Sequence, residues 1–471
     1  MVGRKEELEI LQSLERADES SFVAVYGRRR VGKTYLIRHV FEDKFTFHLT
    51  GIANIGLKPQ LANFYAALIR HFPWLEDKPM PNDWFQIFQL LISGLESSEA
   101  TKKILFFDEL PWLDQPQAGF VAALEHFWNS WASARKDVIL IVCGSAASWM
   151  IHNLINNRGG LHNRVTHRIR LDPFTLNECE IFLRAKSATY DRYQIVQLYM
   201  ALGGIPFYLK AVNTGKSVAQ NINDLCFSQK GILRTEFDNL YASLFKNARK
   251  HIAIIEALAK KSKGMERAEL LKIAKIAEGG NATKILRELE ESSFITKYPA
   301  FGKNTRYTLY QLTDFYSLFY LKFIKTTTEL DKDFWLNAID DPQVRAWSGY
   351  AFEQVCLMHL DQIKQALGIS GVQTRSSAWI GEANGQKAQV DLVIDRRDQV
   401  INLCEMKFSL TAFNIDKKYA EELREKIGIF RAATKTQKAI FLTLVTTFGL
   451  QSSSASMGLV QNDLTMDILF K

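Results

Sequence analysis

Three unbroken apolar runs stand out in the first part of the chain: Phe22-Val23-Ala24-Val25-Tyr26, Ile104-Leu105-Phe106-Phe107 and Val138-Ile139-Leu140-Ile141-Val142. Amphipathic stretches with helical spacing lie between them. A strand that is apolar at every position is buried on both faces, which is the condition of a parallel strand covered by helices. Residues 1–210 are therefore expected to form a doubly wound α/β sheet. Farther along, the pattern shortens. Helical spacing is found over 251–260, 266–276 and 282–291, with Asn281 placed as an N-cap. Two strands are expected over 294–297 and 305–312, around the turn Phe301-Gly302-Lys303-Asn304. Beyond a connector at 326–342, the periodicity predicts a helix over 344–360, strands around 390–394 and 400–404, a helix over 416–431 and a strand over 439–445.

The three short helices followed by a hairpin are the pattern of a winged helix-turn-helix. Residues 211–325 thus read as a helical lid with that module, and 343–471 as a third, α/β domain. A length of 471 residues accommodates three domains. The formal charge of +8 is concentrated rather than spread. Residues 246–325 hold 16 Lys and Arg against 8 Asp and Glu, a local excess of eight that equals the excess of the whole chain. Such a stripe predicts a nucleic-acid partner. No run of about 18 apolar residues occurs, so no membrane span is expected. Met1-Val2-Gly3-Arg4-Lys5-Glu6-Glu7 carries no apolar signal core, which predicts a cytoplasmic protein. The cysteines Cys143, Cys179, Cys226, Cys356 and Cys404 are scattered, which argues against a zinc ribbon or a disulfide framework.

Gly27-Arg28-Arg29-Arg30-Val31-Gly32-Lys33-Thr34 fits GxxxxGK[ST] between a strand and a helix that opens at Tyr35. Glycines let backbone N–H groups close around phosphates, Lys33 reaches the β and γ oxygens of ATP, and the Thr34 hydroxyl ligates Mg²⁺. The run before Leu110 ends in Asp108 and Glu109. Asp108 is placed to hold Mg²⁺ through water, and Glu109 to polarise the attacking water. Ser145, just past the third apolar run, reads either as a γ-phosphate sensor or as the N-cap of the next helix. Arg158 and Arg164 are candidates for an arginine finger, in cis or from a neighbouring subunit of a homo-oligomer, or are simply solvated.

With these motifs in hand, Val2-Gly3-Arg4-Lys5-Glu6-Glu7 resembles the box that contacts adenine in AAA+ and STAND-type NTPases. Ala201-Leu202-Gly203-Gly204-Ile205-Pro206 resembles the GxP motif of the STAND class. Together with the phosphate loop, this resembles the archaeal-type ATPase family over about residues 1–240. The resemblance implies that Gly3, Arg4 and Pro206 border the nucleotide base, and that ATP and ADP are the ligands.

In the winged-helix segment, Lys284 and Arg287 share one face of the recognition helix, with Ile285, Leu286 and Leu289 on the other. Lys303 and Arg306 fall at the wing. Glu288, Glu290 and Glu291 crowd the same helix, so a packing or switching role stands beside DNA contact.

In the last domain, Asp391 lies in one strand, and Glu405 and Lys407 lie on one face of the next. Glu353 lies on the preceding helix. Two carboxylates and a lysine so placed suit a Mg²⁺ ion and water beside a phosphodiester. The pattern resembles the PD-(D/E)XK nuclease superfamily, and more closely the domain of unknown function appended to archaeal-type ATPases. That resemblance implies Glu353, Asp391, Glu405 and Lys407 as the catalytic positions, with Asp391 and Glu405 on the metal. The chain thus reads as an ATP-hydrolysing switch coupled to a metal-dependent nuclease-like domain. Defence against foreign nucleic acid or genome maintenance is the setting the architecture suggests. The alternative is a nucleotide-regulated DNA-binding or scaffold protein with a silent nuclease fold.

Overall fold

The structure, a computed structural model, describes residues 1–471 apart from 158, 262–263, 300, 303–307, 328–330 and 384. The chain divides into two compact units, 1–172 with 291–293 and 173–290 with 294–471.

The first unit is built on five parallel strands: β1 (Ser21–Tyr26), β2 (Phe45–Thr50), β3 (Lys103–Asp108), β4 (Val138–Gly144) and β5 (His167–Arg170). Their order is β2-β3-β4-β1-β5. The three apolar runs form the three central strands, and β3 and β4 are buried at every position. The two outer strands escape the pattern. Of β2 only Phe47 and Leu49 are buried, and β5 has four residues of which only Ile169 is buried. An edge strand has one neighbour, so it needs fewer apolar positions. One side of the sheet packs on an aromatic core in which Trp84 meets Phe64 and Phe120 edge-on. Such ring pairs add to the stabilisation from burial alone. No described helix is long and apolar enough to cross a membrane.

The second unit opens with helices whose starts are written in the sequence. Thr175 with Glu178, Asp191 with Gln194 and Ser217 with Gln220 each form a reciprocal capping box. A three-stranded antiparallel sheet follows, built from β6 (Met265–Glu266), β7 (Ile295–Pro299) and β8 (Thr308–Leu312) in the order β6-β8-β7. It packs with the helices Ala248–Ala259 and Arg267–Ile273, and the helix Gly280–Glu291 precedes β7. The last helix begins before Asn281, because the Thr283 N–H already bonds to Gly279 O at 3.1 Å. Asn281 therefore sits inside the first turn rather than capping it. The expected connector at 326–342 contains a helix, Phe334–Ala338, whose Trp335 is buried against Phe319, Phe323 and Trp347. Burial of that indole ties the segment down.

The C-terminal part of this unit is a mixed sheet of β9 (Thr374–Ala383), β10 (Gln386–Arg396), β11 (Val400–Lys407), β12 (Ala439–Thr446) and β13 (Asn462–Thr465), in the order β13-β12-β11-β10-β9. β9, β10 and β11 pair antiparallel, and β11, β12 and β13 pair parallel. The helix Pro342–Met358 precedes the sheet, and the helix Lys417–Thr434 makes the crossover between the parallel strands β11 and β12. β9 and β13 lie at the edges and, like the outer strands of the first sheet, lack a continuous apolar run. Phe301 docks here: its N–H donates to Ala378 O at 2.9 Å, and its ring meets Phe430.

Candidate functional site

The loop between β1 and the helix Lys33–Phe41 takes shapes that L side chains resist. Gly27 has φ 142°, Arg30 φ 73° and Gly32 φ 94°. A Cβ on Gly27 would lie 2.2 Å from the backbone oxygen of Leu171, so only glycine fits there. Gly32 lets the helix begin at Lys33, two residues earlier than expected. Lys33 is buried, and its Nζ donates to Gly27 O and Arg28 O, both at 3.0 Å. Burial pulls the ammonium below the ordinary lysine range, while the Glu109 and Asp108 carboxylates oppose that shift. The loop thus curls around a cation held by its own carbonyls. Arg28 is buried, Arg29 and Arg30 are half-buried, Val31 is buried and Tyr35 is exposed.

Since β4 lies between β1 and β3, the loop and the acidic end of β3 border the same strand end. The Thr34 hydroxyl donates to Asp108 Oδ2 at 3.0 Å. Asp108 Oδ1 accepts the Glu109 N–H at 3.0 Å and the thiol of Cys143. Burial raises the Cys143 pKa well above the ordinary thiol value, and the Asp108 carboxylate adds to the shift, so the group stays a neutral donor. Glu109 sits in the left-handed region at φ 49°. Its carboxylate accepts the Ser145 N–H at 3.2 Å and the Ser145 hydroxyl at 2.9 Å. The cap position of the following short helix is Ala146, so Ser145 here holds Glu109 instead of capping. Cys143 was visible in the sequence only as one of five thiols, because nothing there indicates which neighbour a strand residue meets.

Arg4 follows Gly3, both at positive φ, and caps the helix Lys5–Leu14. Its guanidinium donates to Asp172 O at 2.5 Å and lies 3.6 Å from Glu7. Arg164 is exposed, and Arg158 lies outside the described residues. Pro206 belongs to the second unit, where it opens the helix Pro206–Lys210. The neighbouring Gly204 packs so tightly on Phe174 that a Cβ would fall 1.9 Å from its backbone oxygen.

On the C-terminal sheet, Leu392 pairs with Cys404, so the register places Asp391 beside Glu405. Glu405 is buried and pairs with Lys426 of the helix Lys417–Thr434. It also accepts the Tyr419 hydroxyl at 3.4 Å, with Lys407 Nζ 3.8 Å away and above the Tyr419 ring. Asp391 accepts an amide N–H of Gln389 at 3.1 Å. Burial pushes the Tyr419 phenol up, and the charge of Glu405 adds to the shift. The expected convergence of Glu353, Asp391 and Glu405 on one cation is not found. Among the described residues no three His, Cys, Asp or Glu side chains are grouped to hold a metal ion. Glu405 is neutralised instead by Lys426, a cation internal to the protein. Helical spacing cannot reveal that Lys426 faces a strand, so neither it nor Tyr419 was anticipated.

On the helix Gly280–Glu291, Lys284 and Arg287 are exposed while Ile285, Leu286 and Leu289 are buried. The crowded acids have partners: Glu288 meets His251 at 2.7 Å, and Glu290 meets Lys297 at 2.9 Å. Lys303 and Arg306 lie outside the described residues.

A glycine-shaped loop carrying a buried lysine, facing a threonine hydroxyl and an acidic strand end across one parallel strand, defines a P-loop NTPase. Residues 1–212 match the family described as an ATPase domain predominantly from Archaea. Over that segment the chain is similar to the archaeal-type ATPases. An uncharacterized protein of Methanocaldococcus jannaschii is 22% identical over 376 residues, which is 77% of this chain and 78% of that one. An uncharacterized ATP-binding protein of the same organism is 49% identical over 43 residues, 9% of this chain and 73% of that one. In fold, the chain is similar to the Walker-type ATPase of Pyrococcus abyssi, with a TM-score of 0.50 and 16% identity, covering 68% of this chain and 96% of that one.

Proposed function

We propose that this ATPase is a switch that binds Mg-ATP and governs a nuclease-like C-terminal domain acting on nucleic acid. At the nucleotide site the donors are hard oxygens, the Thr34 hydroxyl and the Asp108 carboxylate 3.0 Å apart, which suit Mg²⁺. Bound there, the ion would neutralise phosphate charge. Lys33 exchanges its loop carbonyls for the β and γ oxygens, and Glu109 leaves Ser145 to take a proton from the attacking water. An exposed Arg164 suits an arginine finger supplied to a neighbouring copy.

The observation that carries the nuclease-like reading is the C-terminal topology. A helix, three antiparallel strands, a crossover helix and a parallel strand bring Asp391 beside Glu405 and Lys407. Asp391 and Glu405 are the residues that would hold a divalent cation, and Lys407 would neutralise a phosphodiester. The exposed Lys284 and Arg287, with the winged-helix order of the preceding segment, supply a basic face for the same polymer. The Glu405–Lys426 pair favours a second reading, in which the nuclease fold is silent and the protein is a nucleotide-regulated DNA-binding scaffold. Cleavage of labelled DNA and RNA, with and without ATP and Mn²⁺, separates the two. Metal-dependent cutting that disappears in Asp391→Asn with Glu405→Gln supports the first. Binding without cutting under every condition establishes the second.

A further inference from the structure

Asp108 has two carboxylate oxygens with different duties. Oδ2 faces the Thr34 hydroxyl. Oδ1 points into the sheet, where it accepts the Glu109 N–H and the Cys143 thiol. Cys143 is fully buried on β4, the strand between the phosphate-loop strand and the acidic strand, and the register of Phe107 with Val142 sets it next to Asp108. A buried cysteine is ordinarily a small apolar filler. Here it stands beside a carboxylate that is only 8% exposed, whose lone pairs need donors.

We infer that Cys143 is a positioning residue for the cation site: its thiol anchors Asp108 Oδ1, so that Oδ2 is turned toward Thr34. The inference rests on Thr34 and Asp108 being the cation ligands. Without the thiol, Oδ1 loses a donor and the carboxylate can rotate away from Thr34. Valine fills the thiol's place without donating. Serine donates with a shorter reach.

The test uses the full-length protein saturated with ADP, with Mn²⁺ as probe and free Mn²⁺ read by electron paramagnetic resonance. Cys143→Val should bind Mn²⁺ about tenfold more weakly than wild type, the effect of losing one hydrogen bond to a charged group. Cys143→Ser should recover most of the affinity. ADP affinity in EDTA should be equal in all three. Wild-type Mn²⁺ affinity in Cys143→Val, or an equal loss in Cys143→Ser, would show that the residue only fills space and overturns the inference. If Cys143→Val does not fold, Cys143→Ala carries the same comparison. Wild type that binds ADP but no Mn²⁺ refutes the ligand assignment underneath, and the inference with it.

Discussion

Glu109 illustrates how one residue can be both ready and restrained. Its backbone is in the left-handed region, a conformation few side chains adopt without cause, and Ser145 holds both of its carboxylate oxygens. In the proposed role as base, Glu109 would polarise water only once the serine lets go. Glu109→Gln keeps the shape and removes the proposed base. Its steady-state ATP turnover should fall about a hundredfold or more, while ATP affinity measured by calorimetry stays near wild type. Unchanged turnover would assign the base elsewhere. On the C-terminal sheet, Lys426 holds Glu405 in a comparable way, by charge instead of by a hydroxyl.

Elements set the conditions under which such residues work. β2 and the helix Leu57–His71 meet through two imidazoles, His71 Nε2 and His48 Nδ1, 3.1 Å apart. Burial lowers the His71 pKa to about 4, and His48 and Arg70 add to the shift. His48 is lowered too, first by burial and then by Arg38 and Arg70, with Glu42 opposing. The folded chain therefore resists a proton that the unfolded chain accepts near pH 6.5. Stability is full above about pH 6.5 and declines as the pH falls through the window toward 4. Thermal melts at pH 7.5 and pH 5 should show the lower midpoint at pH 5. His71→Phe should narrow the difference, and an equal difference in the variant would place the pH sensitivity elsewhere.

For the whole molecule, the local charge excess and the exposed pair Lys284 and Arg287 predict electrostatic binding of nucleic acid. Affinity for duplex DNA should fall steeply with added salt as counterions are released. Lys284→Ala with Arg287→Ala should flatten the logarithmic salt slope by about two, one for each lost phosphate contact. A mobility shift series from low to moderate salt reads both quantities. No binding at low salt would leave this helix as a packing element.

What the sequence determined by itself is whatever short range fixes. Continuous apolar runs announced the three central strands, because burial on both faces leaves no room for polar residues. The spacing of Gly27, Gly32, Lys33 and Thr34 announced the phosphate loop, because backbone conformation and one lysine must coincide within eight residues. Tertiary structure alone decided which strands are neighbours, and so that Cys143 meets Asp108, Ser145 meets Glu109 and Lys426 meets Glu405. It also supplied the edge strands β2, β5, β9 and β13, whose single neighbour demands little apolar sequence. Each of those contacts joins residues 20 or more positions apart, and no periodicity reaches across the fold to pair one donor with one acceptor.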